Sequence, residues 1–244
     1  ICDAVARSEQ ASLFSVMNNL NPGIEKLAME YLLKKETEVN DIVSYAKKKN
    51  IDIALIGPEA PLEAGLADEL IKNDIPTCAP QKDAARIETN KEWMRNLLTT
   101  YKIPGQLKHQ SFTDALEAQR FIEDLNAEVA IKPIGLTGGK GVQVAGDHFN
   151  GTSQAMKYVT EVIQNKIGGA AKVLIEEKAL GEEFTLQAFT DGKHVAPLPV
   201  VQDHKRLLPD DKGPNTGGMG SYSCANGLLP FLSKQEYHQG VSIL

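Results

Sequence analysis

The sequence predicts an α/β protein, with a doubly wound parallel sheet in its N-terminal part followed by a second, α+β unit. Three observations support this fold class. Short apolar strands alternate with amphipathic helices up to residue 79, which is typical of a parallel sheet covered by helices. The dipeptides Ala79-Pro80 and Pro104-Gly105 mark a change of character along the chain. Beyond them, a glycine-rich loop lies between two predicted strands.

The elements of the first unit follow from apolar periodicity and turn residues. The predicted helices are 1–7, 41–50 and 61–72, and the predicted strands are 12–17, 52–57 and 75–79. Ile1 lies inside the first helix with no capping residue before it, and residues 241–244 form an apolar tail without a stop signal. We therefore expect the chain to be incomplete at both ends and the sheet to lack its first strand.

The second unit begins with helix 89–101, which places Trp93, Leu97 and Tyr101 on one stripe. Its other predicted elements are helix 113–125, strands 129–132 and 142–144, helix 152–166, strand 172–176, and a hairpin of 184–190 with 194–195. The turn at 191–193, Asp-Gly-Lys, favours an antiparallel hairpin there.

Composition places the chain among ordinary globular proteins. It has 244 residues, of which 42% are hydrophobic and 24% charged, with a formal net charge of -6. The acidic balance argues against nucleic acid as a partner. No apolar run is long enough to span a bilayer and no signal-peptide pattern is present, so we expect a cytoplasmic protein without a membrane partner. Cys2, Cys78 and Cys224 lack metal-ligand spacing and are interpreted as reduced thiols without a chemical role.

Residues 135–141, Gly-Leu-Thr-Gly-Gly-Lys-Gly, have the composition of a phosphate-binding loop. Glycines allow backbone N–H groups to converge on an oxyanion, and Lys132 and Lys140 add positive charge. The segment does not fit the Walker motif, because Gly141 stands where Ser or Thr is required, and its spacing differs from the dinucleotide fingerprint. Since an unpaired charge is costly inside an apolar strand, we expect Lys132 to face an anion. The alternative is a flexible hairpin with solvated lysines.

Six motifs, taken in order, give the chain a resemblance to a known family. They are Gly57-Pro58-Glu59-Ala60-Pro61-Leu62, Asn90-Lys91, residues 131–141, residues 175–183, Gln202-Asp203-His204-Lys205-Arg206, and Gly213-Pro214-Asn215-Thr216-Gly217-Gly218-Met219-Gly220. Together they resemble the glycinamide ribonucleotide synthetases of the ATP-grasp superfamily, over essentially the whole chain. The glycine-rich loop is shared by the superfamily, whereas the last two motifs are typical of this family.

The resemblance implies a fold and a reaction. The fold is an N-terminal Rossmann-like domain at 1–87 and a truncated ATP-grasp domain at 88–244, with a small nucleotide-clamping subdomain at about 108–178 and no C-terminal domain. The reaction is ATP-dependent ligation of glycine to 5-phosphoribosylamine through a glycyl phosphate, giving glycinamide ribonucleotide, ADP and phosphate in purine biosynthesis. Such a reaction needs no side-chain nucleophile, and the sequence shows no Ser-His-Asp or Cys-His constellation. The implied protein is a monomer that uses ATP with Mg²⁺ or Mn²⁺, and its metal ligands are expected beyond Leu244, none of them in this segment.

The resemblance also assigns site residues by position. ATP binding is assigned to Lys91, Lys132, Gly138, Gly139, Lys140, Gly141, Glu176, Glu177, Lys178, Ala179 and Glu183. A second set is assigned to substrate binding: Glu59, Asp203, His204, Lys205, Arg206, Pro214, Asn215, Thr216, Gly217 and Gly218. Which of them contact glycine and which contact the ribose phosphate is left open. Catalytic roles are assigned to Lys132, Lys140, Asp203 and Lys205. In this assignment the Lys140 side chain closes on ATP, Glu183 accepts hydrogen bonds from the ribose, and residues 213–220 form a backbone nest for an anion.

The sequence departs from the family pattern in two places and leaves two other function classes open. Ile134 stands where the family commonly has an acidic residue, and residues 17–23 replace a more compact turn. The other classes are a different ATP-grasp enzyme, such as a carboxylase or peptide ligase, and a noncatalytic nucleotide-binding module. The motifs at 203–206 and 213–220 favour the ligase over another ATP-grasp enzyme.

We predict that the 244-residue chain alone shows no ligase activity with Mg²⁺, glycine and 5-phosphoribosylamine, although its ATP-grasp part retains weak nucleotide binding. A parallel sheet without its first strand leaves neighbouring backbone groups and apolar side chains without partners. Activity is measured as ADP release in a coupled assay, and restoring the flanking sequence should restore it. Turnover by the isolated chain would show that the site is self-contained.

Overall fold

The computed structural model describes residues 1–8, 10–139 and 141–244. They divide into two compact units, residues 1–94 and 95–244. No helix within these ranges is long and apolar enough to cross a membrane. All three cysteines are free thiols.

The first unit contains parallel strand pairs and helices, as the sequence predicts. The pairs are β1 (Phe14–Met17) with β2 (Glu30–Leu33), and β3 (Ala54–Leu55) with β4 (Thr77–Cys78). The helices are α1 (Cys2–Ala6), α2 (Pro22–Leu27), α3 (Val39–Lys48), α4 (Glu59–Glu63), α5 (Leu66–Lys72), α6 (Lys82–Thr89) and α7 (Lys91–Thr100). The last of these helices continues into the second unit.

The core of the first unit forms where α3 and α5 pack together. Ile42, Val43 and Ala46 of α3 recur at a spacing that puts them on one helix face, and all three are buried. Leu66 and Leu70 of α5 pack into the same cluster. Full burial of one aliphatic side chain of the size of leucine contributes about 1.5–3 kcal/mol. Apolar periodicity therefore accounts for the helices that cover the parallel strands.

The prediction of one continuous helix over 61–72 is wrong, because the structure has two helices there, α4 and α5. Gly65 adopts a left-handed conformation, with φ 87°, and separates α4 from α5. The strands predicted over 52–57 and 75–79 shorten to 2 residues each. The element types are correct there, and the boundaries are not.

Three elements of the first unit are absent from the sequence prediction: α2, β2 and α6. The start of α2 carries a clear signal, since the Asn21 side chain accepts hydrogen bonds from the N–H groups of Gly23 and Ile24, and Pro22 is the first helical residue. With 6 residues, α2 has fewer than two turns and shows little periodicity.

The apolar stripe predicted on the helix over 89–101 is present only in part. The helix begins at Lys91, because Asn90 caps it by accepting a hydrogen bond from Trp93 N–H at 2.9 Å. The Trp93 ring packs against Arg86, whose guanidinium carbon lies 4.5 Å from the ring centroid. Tyr101 lies beyond the helix end and is 71% exposed.

The second unit is built on a four-stranded antiparallel sheet in the order β5-β8-β6-β7. The strands are β5 (His109–Phe112), β6 (Val129–Pro133), β7 (Gln143–Val144) and β8 (Val173–Glu177), and the helices are α8 (Ala115–Asp124) and α9 (Gly151–Gln164), with a 3₁₀ turn at Ile167–Gly169. The predicted hairpin around the glycine-rich loop is confirmed, because β6 and β7 pair antiparallel. The sequence prediction omits β5, whose residues His-Gln-Ser-Phe include a single large apolar side chain.

Helices α8 and α9 pack against this sheet and bury its apolar side chains. Completely buried core residues are Val129, Ile131, Val173 and Ile175 from the strands, with Ala118, Ile122, Val159 and Val162 from the helices. Glu176, in β8, is the exception, because it is a charged residue that is only 1% exposed. A charge buried among apolar side chains requires partners of opposite charge.

Two further antiparallel hairpins and a helix follow. The strands β9 (Ala188–Thr190) and β10 (Val195–Pro197) form the predicted hairpin, with a shorter first arm and a longer second arm than predicted. The Asp191 carboxylate accepts hydrogen bonds from two N–H groups in its turn. The strands β11 (Gln202–Leu208) and β12 (Lys212–Tyr222) form the second hairpin. Helix α10 (Lys234–Val241) begins with a capping box.

The glycine-rich motif of β12 is a strand interrupted by a bulge, and the backbone nest expected there stays a prediction. His204 pairs with Gly220, whereas Arg206 pairs with Asn215, so residues 216–219 bulge out opposite one residue of β11. The extra residues in such a bulge lack ladder partners and redirect the strand. The motif is therefore a bent strand, and its turn-forming residues gather in the bulge.

One hydroxyl group fixes this bulge. Thr216 Oγ1 donates to the Lys205 carbonyl oxygen at 2.9 Å and accepts from Gly218 N–H at 3.0 Å. Gly218 has φ 116°, which side-chain-bearing residues rarely adopt. The threonine and glycine of the motif thus have a conformational role.

Gly135→Ala is predicted to destabilise the second unit. A Cβ at position 135 would lie 2.4 Å from the backbone oxygen of Gly168, and a backbone atom moves aside only at a cost. We expect the free energy of unfolding, measured by urea denaturation, to fall by about 1–3 kcal/mol. The control is Gly217→Ala, because nothing lies within 4 Å of its Cβ position. Equal losses in the two variants would contradict the steric explanation.

Candidate functional site

The glycine-rich loop is held at its C-terminal end by two hydrogen bonds. The Tyr158 hydroxyl, on α9, donates to the Gly141 carbonyl oxygen at 2.7 Å, and Gly141 N–H donates to Thr137 Oγ1 at 3.2 Å. Burial raises the pKa of Tyr158, which therefore stays a neutral donor. A Cβ at Gly141 would lie 2.7 Å from the Thr137 side chain, so this position requires glycine.

The glycine-rich loop is preceded by a buried residue, whereas its middle is open to solvent. Ile134 is buried, so the position where the family commonly has an acidic residue anchors the loop by apolar packing. Gly138 and Gly139 are left-handed, with φ 60° and 75°, and nothing lies within 4 Å of a Cβ built at either. Glycine is required there by conformation, and the adjoining space is open to a ligand. Lys140 lies outside the described residues.

Lys132 faces an anion, as predicted, and that anion is Glu176. Lys132 Nζ donates to Glu176 Oε2 at 2.6 Å, and Arg95 Nε donates to Glu176 Oε1 at 2.6 Å. Burial alone would raise the pKa of Glu176, but hydrogen bonds and charge from Arg95 and Lys132 outweigh it and lower the pKa below its usual value. The carboxylate therefore stays ionised with one cation on each oxygen.

The side chains after Glu176 are tied back to neighbouring segments. Glu177 Oε1 accepts from Lys108 N–H at 2.9 Å, and Lys178 Nζ donates to the Ala145 carbonyl oxygen at 2.7 Å. Ala179 follows the end of β8 and is exposed. Lys178 N–H also donates to the Glu128 carbonyl oxygen at 3.0 Å, so the backbone leaves the strand ladder at Ala179. Backbone groups in that position suit recognition of a planar base edge.

Glu183 and Lys205 connect the assigned nucleotide and substrate residues. The Lys205 ammonium donates to Glu183 Oε1, and Asp203 Oδ2 lies 3.8 Å from the same Nζ atom. Burial would lower the pKa of Lys205, but these carboxylates outweigh it and raise the pKa, so the lysine stays protonated. The cluster thus presents a fixed positive charge between two carboxylates.

A cavity of about 990 Å³ lies between the glycine-rich loop, the turn after β7 and the β11–β12 hairpin. Arg206 crosses it, donating to the Gly213 carbonyl oxygen at 2.8 Å and to Asp147 Oδ2 at 2.9 Å. Asn215 Nδ2 lies 3.5 Å from the Gly139 carbonyl oxygen, as a donor at the limit of hydrogen bonding. The hairpin motif and the glycine-rich loop therefore line one cavity, whose volume suits a small-molecule ligand.

The remaining assigned residues lie on the β11–β12 hairpin or in the first unit. His204 stacks on Tyr222, with ring centroids 6.0 Å apart and an interplanar angle of 12°. Pro214, exposed on β12, lines the cavity beside Asn215. Glu59 begins α4 and Lys91 begins α7, both within residues 1–94. The sequence reasoning missed the contacts made by Arg95, Asp147 and Tyr158, which carry no local motif.

The described part of the chain was also compared with the side-chain clusters that bind metal ions. Among its residues, no group of three or more His, Cys, Asp or Glu side chains is placed to hold a metal ion.

Comparison with known proteins identifies the class and then the family. Residues 1–88 match the model of the phosphoribosylglycinamide synthetase N domain, and residues 89–244 match that of the phosphoribosylglycinamide synthetase ATP-grasp (A) domain. The fold and the loop with its strands thus belong to the ATP-grasp class, and the predicted fold class is confirmed. The chain belongs to the phosphoribosylglycinamide synthetase family.

Individual relatives agree with this assignment. The phosphoribosylamine-glycine ligase of Methanothermobacter thermautotrophicus is 50% identical over 244 residues, which is 100% of this chain and 55% of the relative. That of Methanocella arvoryzae is 51% identical, with the same coverage of 100% and 55%. The chain thus spans about half the length of the curated relatives it matches.

Solved structures agree at the level of fold. A phosphoribosylamine-glycine ligase from Thermotoga maritima has a TM-score of 0.69 at 23% identity, covering 90% of this chain and 51% of that one. The biotin carboxylase domain of a Hydrogenobacter thermophilus 2-oxoglutarate carboxylase, solved with MgADP, ADP and bicarbonate, has a TM-score of 0.72 at 16% identity, covering 100% of this chain and 55% of that one.

Lys132→Ala is predicted to weaken ATP binding or turnover by a factor on the order of 100, the size typical of losing one preorganised electrostatic partner. The fold should persist, because Arg95 still pairs with Glu176. Affinity is measured by calorimetric titration with ATP. Lys157→Ala removes the same charge from an exposed position on α9 and serves as the control, with unchanged affinity expected. If Lys132→Ala also left affinity and rate unchanged, Lys132 would have no part in the nucleotide site.

Proposed function

We propose that the protein is an ATP-dependent ligase that joins glycine to 5-phosphoribosylamine in purine biosynthesis, giving glycinamide ribonucleotide, ADP and phosphate. The observation that carries this proposal is the pairing of the two family-specific motifs as the β11–β12 hairpin, across one cavity from the glycine-rich loop. Identity of about half the residues with phosphoribosylamine-glycine ligases supports it. The net charge of -6 also favours small molecules over nucleic acid as partners.

In this proposal the second unit supplies the nucleotide site. The open backbone at Gly138 and Gly139 receives phosphate oxygens, and Lys132 opposes their charge. The backbone after β8 contacts the adenine edge, and Glu183 accepts hydrogen bonds from the ribose hydroxyls. Magnesium, when bound with the nucleotide, adds charge neutralisation and orients the phosphates.

The chemistry is two successive steps, a phosphoryl transfer from ATP to a glycine carboxylate oxygen and then an acyl transfer at the glycyl carbonyl carbon. A glycine carboxylate oxygen takes the γ-phosphoryl group from ATP, which leaves as ADP, and glycyl phosphate forms. The amine of 5-phosphoribosylamine then attacks the glycyl carbon, phosphate leaves with the electron pair of the broken C–O bond, and the amine loses a proton. Lys205 opposes the charge of the moving phosphoryl group, and Asp203 is the candidate proton acceptor. Catalysis here is positioning and electrostatics, with no covalent enzyme intermediate.

A chimaera tests the proposal. This chain replaces the matching stretch of the Methanothermobacter thermautotrophicus relative, so that the remainder of a complete ligase is present. We expect ADP release that requires both glycine and 5-phosphoribosylamine. A chimaera that folds and binds ATP but releases no ADP with both substrates would contradict the ligase assignment, and release dependent on another acid or amine would indicate a different ATP-grasp enzyme.

In the same chimaera, Glu183→Gln is predicted to raise the KM for ATP while leaving the KM for glycine nearly unchanged. Ribose contacts are made equally in the ground and transition states, so their loss affects substrate binding more than kcat. Steady-state kinetics with each substrate varied in turn measures both constants. Since Glu183 also pairs with Lys205, a change in the glycine constant alone would assign Glu183 to the substrate side instead.

A further inference from the structure

Arg95 belongs to none of the family motifs and lies in the second turn of α7. Its side chain nevertheless reaches Glu176, the most deeply buried charge among the described residues of the second unit. The Arg95 side chain is 12% exposed, and it donates through Nε to Glu176 Oε1. Lys132, the other partner of Glu176, is 25% exposed. The two cations therefore share one carboxylate, and the lysine is the more accessible of the two.

The second cation changes what Lys132 is able to do. If Glu176 had Lys132 as its single partner, moving that ammonium toward a phosphate would leave a buried carboxylate without a counter-charge, which is strongly unfavourable. With Arg95 in place, the carboxylate keeps one hydrogen-bonded cation when Lys132 turns away. Lys132 also keeps further N–H donors for a second anion while it stays near Glu176.

We propose that Arg95 is a positioning residue of the nucleotide site, which neutralises Glu176 so that Lys132 directs its charge to a phosphate oxygen of ATP. This inference rests on the proposed function, because it takes Lys132 as a nucleotide ligand. It adds to that function a residue that contacts neither nucleotide nor substrate. This residue acts on Lys132 through the Glu176 carboxylate, which lies between the two cations.

A double-mutant cycle on ATP affinity tests the inference. The variants are Arg95→Met, Glu176→Gln and the double variant, each titrated with ATP by calorimetry alongside the unaltered protein. Arg95→Met should weaken ATP binding about tenfold, because Glu176 then holds Lys132. In the Glu176→Gln background the same change should have less than about a twofold effect, because a neutral amide does not retain the lysine. A purely structural arginine would weaken binding equally in both backgrounds or in neither.

Two conservative variants keep the test decisive if Arg95→Met does not fold. Arg95→Lys keeps the charge and should bind ATP within about threefold of the unaltered protein. Arg95→Gln keeps a hydrogen-bond donor without the charge and should lose most of the affinity that Arg95→Met is expected to lose. An affinity for Arg95→Gln equal to that of the unaltered protein would overturn the inference.

The proposed function and this inference fail in different ways. If the unaltered protein does not bind ATP, the nucleotide site itself is misassigned, and the role of Arg95 falls with it. If the unaltered protein binds ATP and the cycle shows no coupling between positions 95 and 176, only the role of Arg95 is wrong.

Discussion

The second unit depends on the burial of one carboxylate. Glu176 lies on an inner strand of the four-stranded sheet, next to apolar residues that are completely buried. Taking charged groups out of water costs several kcal/mol per ion, so the carboxylate is stable in this position only while a cation contacts it, and Arg95 and Lys132 both do. Because these partners are 81 and 44 residues away in sequence, a single side chain joins α7, β6 and β8. The same constraint brings a lysine to the start of the glycine-rich loop.

The fold class was predictable because it rests on local signals. Apolar runs such as 129–132 and 172–176 fix the inner strands, and the glycines between 135 and 141 fix the hairpin that joins β6 and β7. The sequence failed where an element is too short to show periodicity, as in α2, or where its side chains are mostly polar, as in β5. It also failed at Gly65, since a glycine inside an apolar helical pattern does not reveal whether the backbone continues or turns there.

The candidate site was predictable only where a motif marks it. Residues 203–206 and 213–220 were visible as motifs, but their pairing across a bulge depends on the Thr216 hydroxyl, which has no distinctive spacing. Residues that act through others, such as Tyr158 behind the loop and Asp147 beside Arg206, look like ordinary helix and turn residues in the sequence. Their partners are chosen by tertiary packing. A linear pattern therefore identifies the groups that meet a ligand more readily than the groups that hold them in place.

The two ends of the glycine-rich loop are held by forces that respond differently to temperature. At its start, Ile134 is held by burial of an apolar side chain, and this stabilisation weakens on cooling. At its end, Gly141 is held by hydrogen bonds to Thr137 and Tyr158, whose strength does not depend on apolar hydration. Cooling therefore weakens the attachment at the start of the loop more than the attachment at its end.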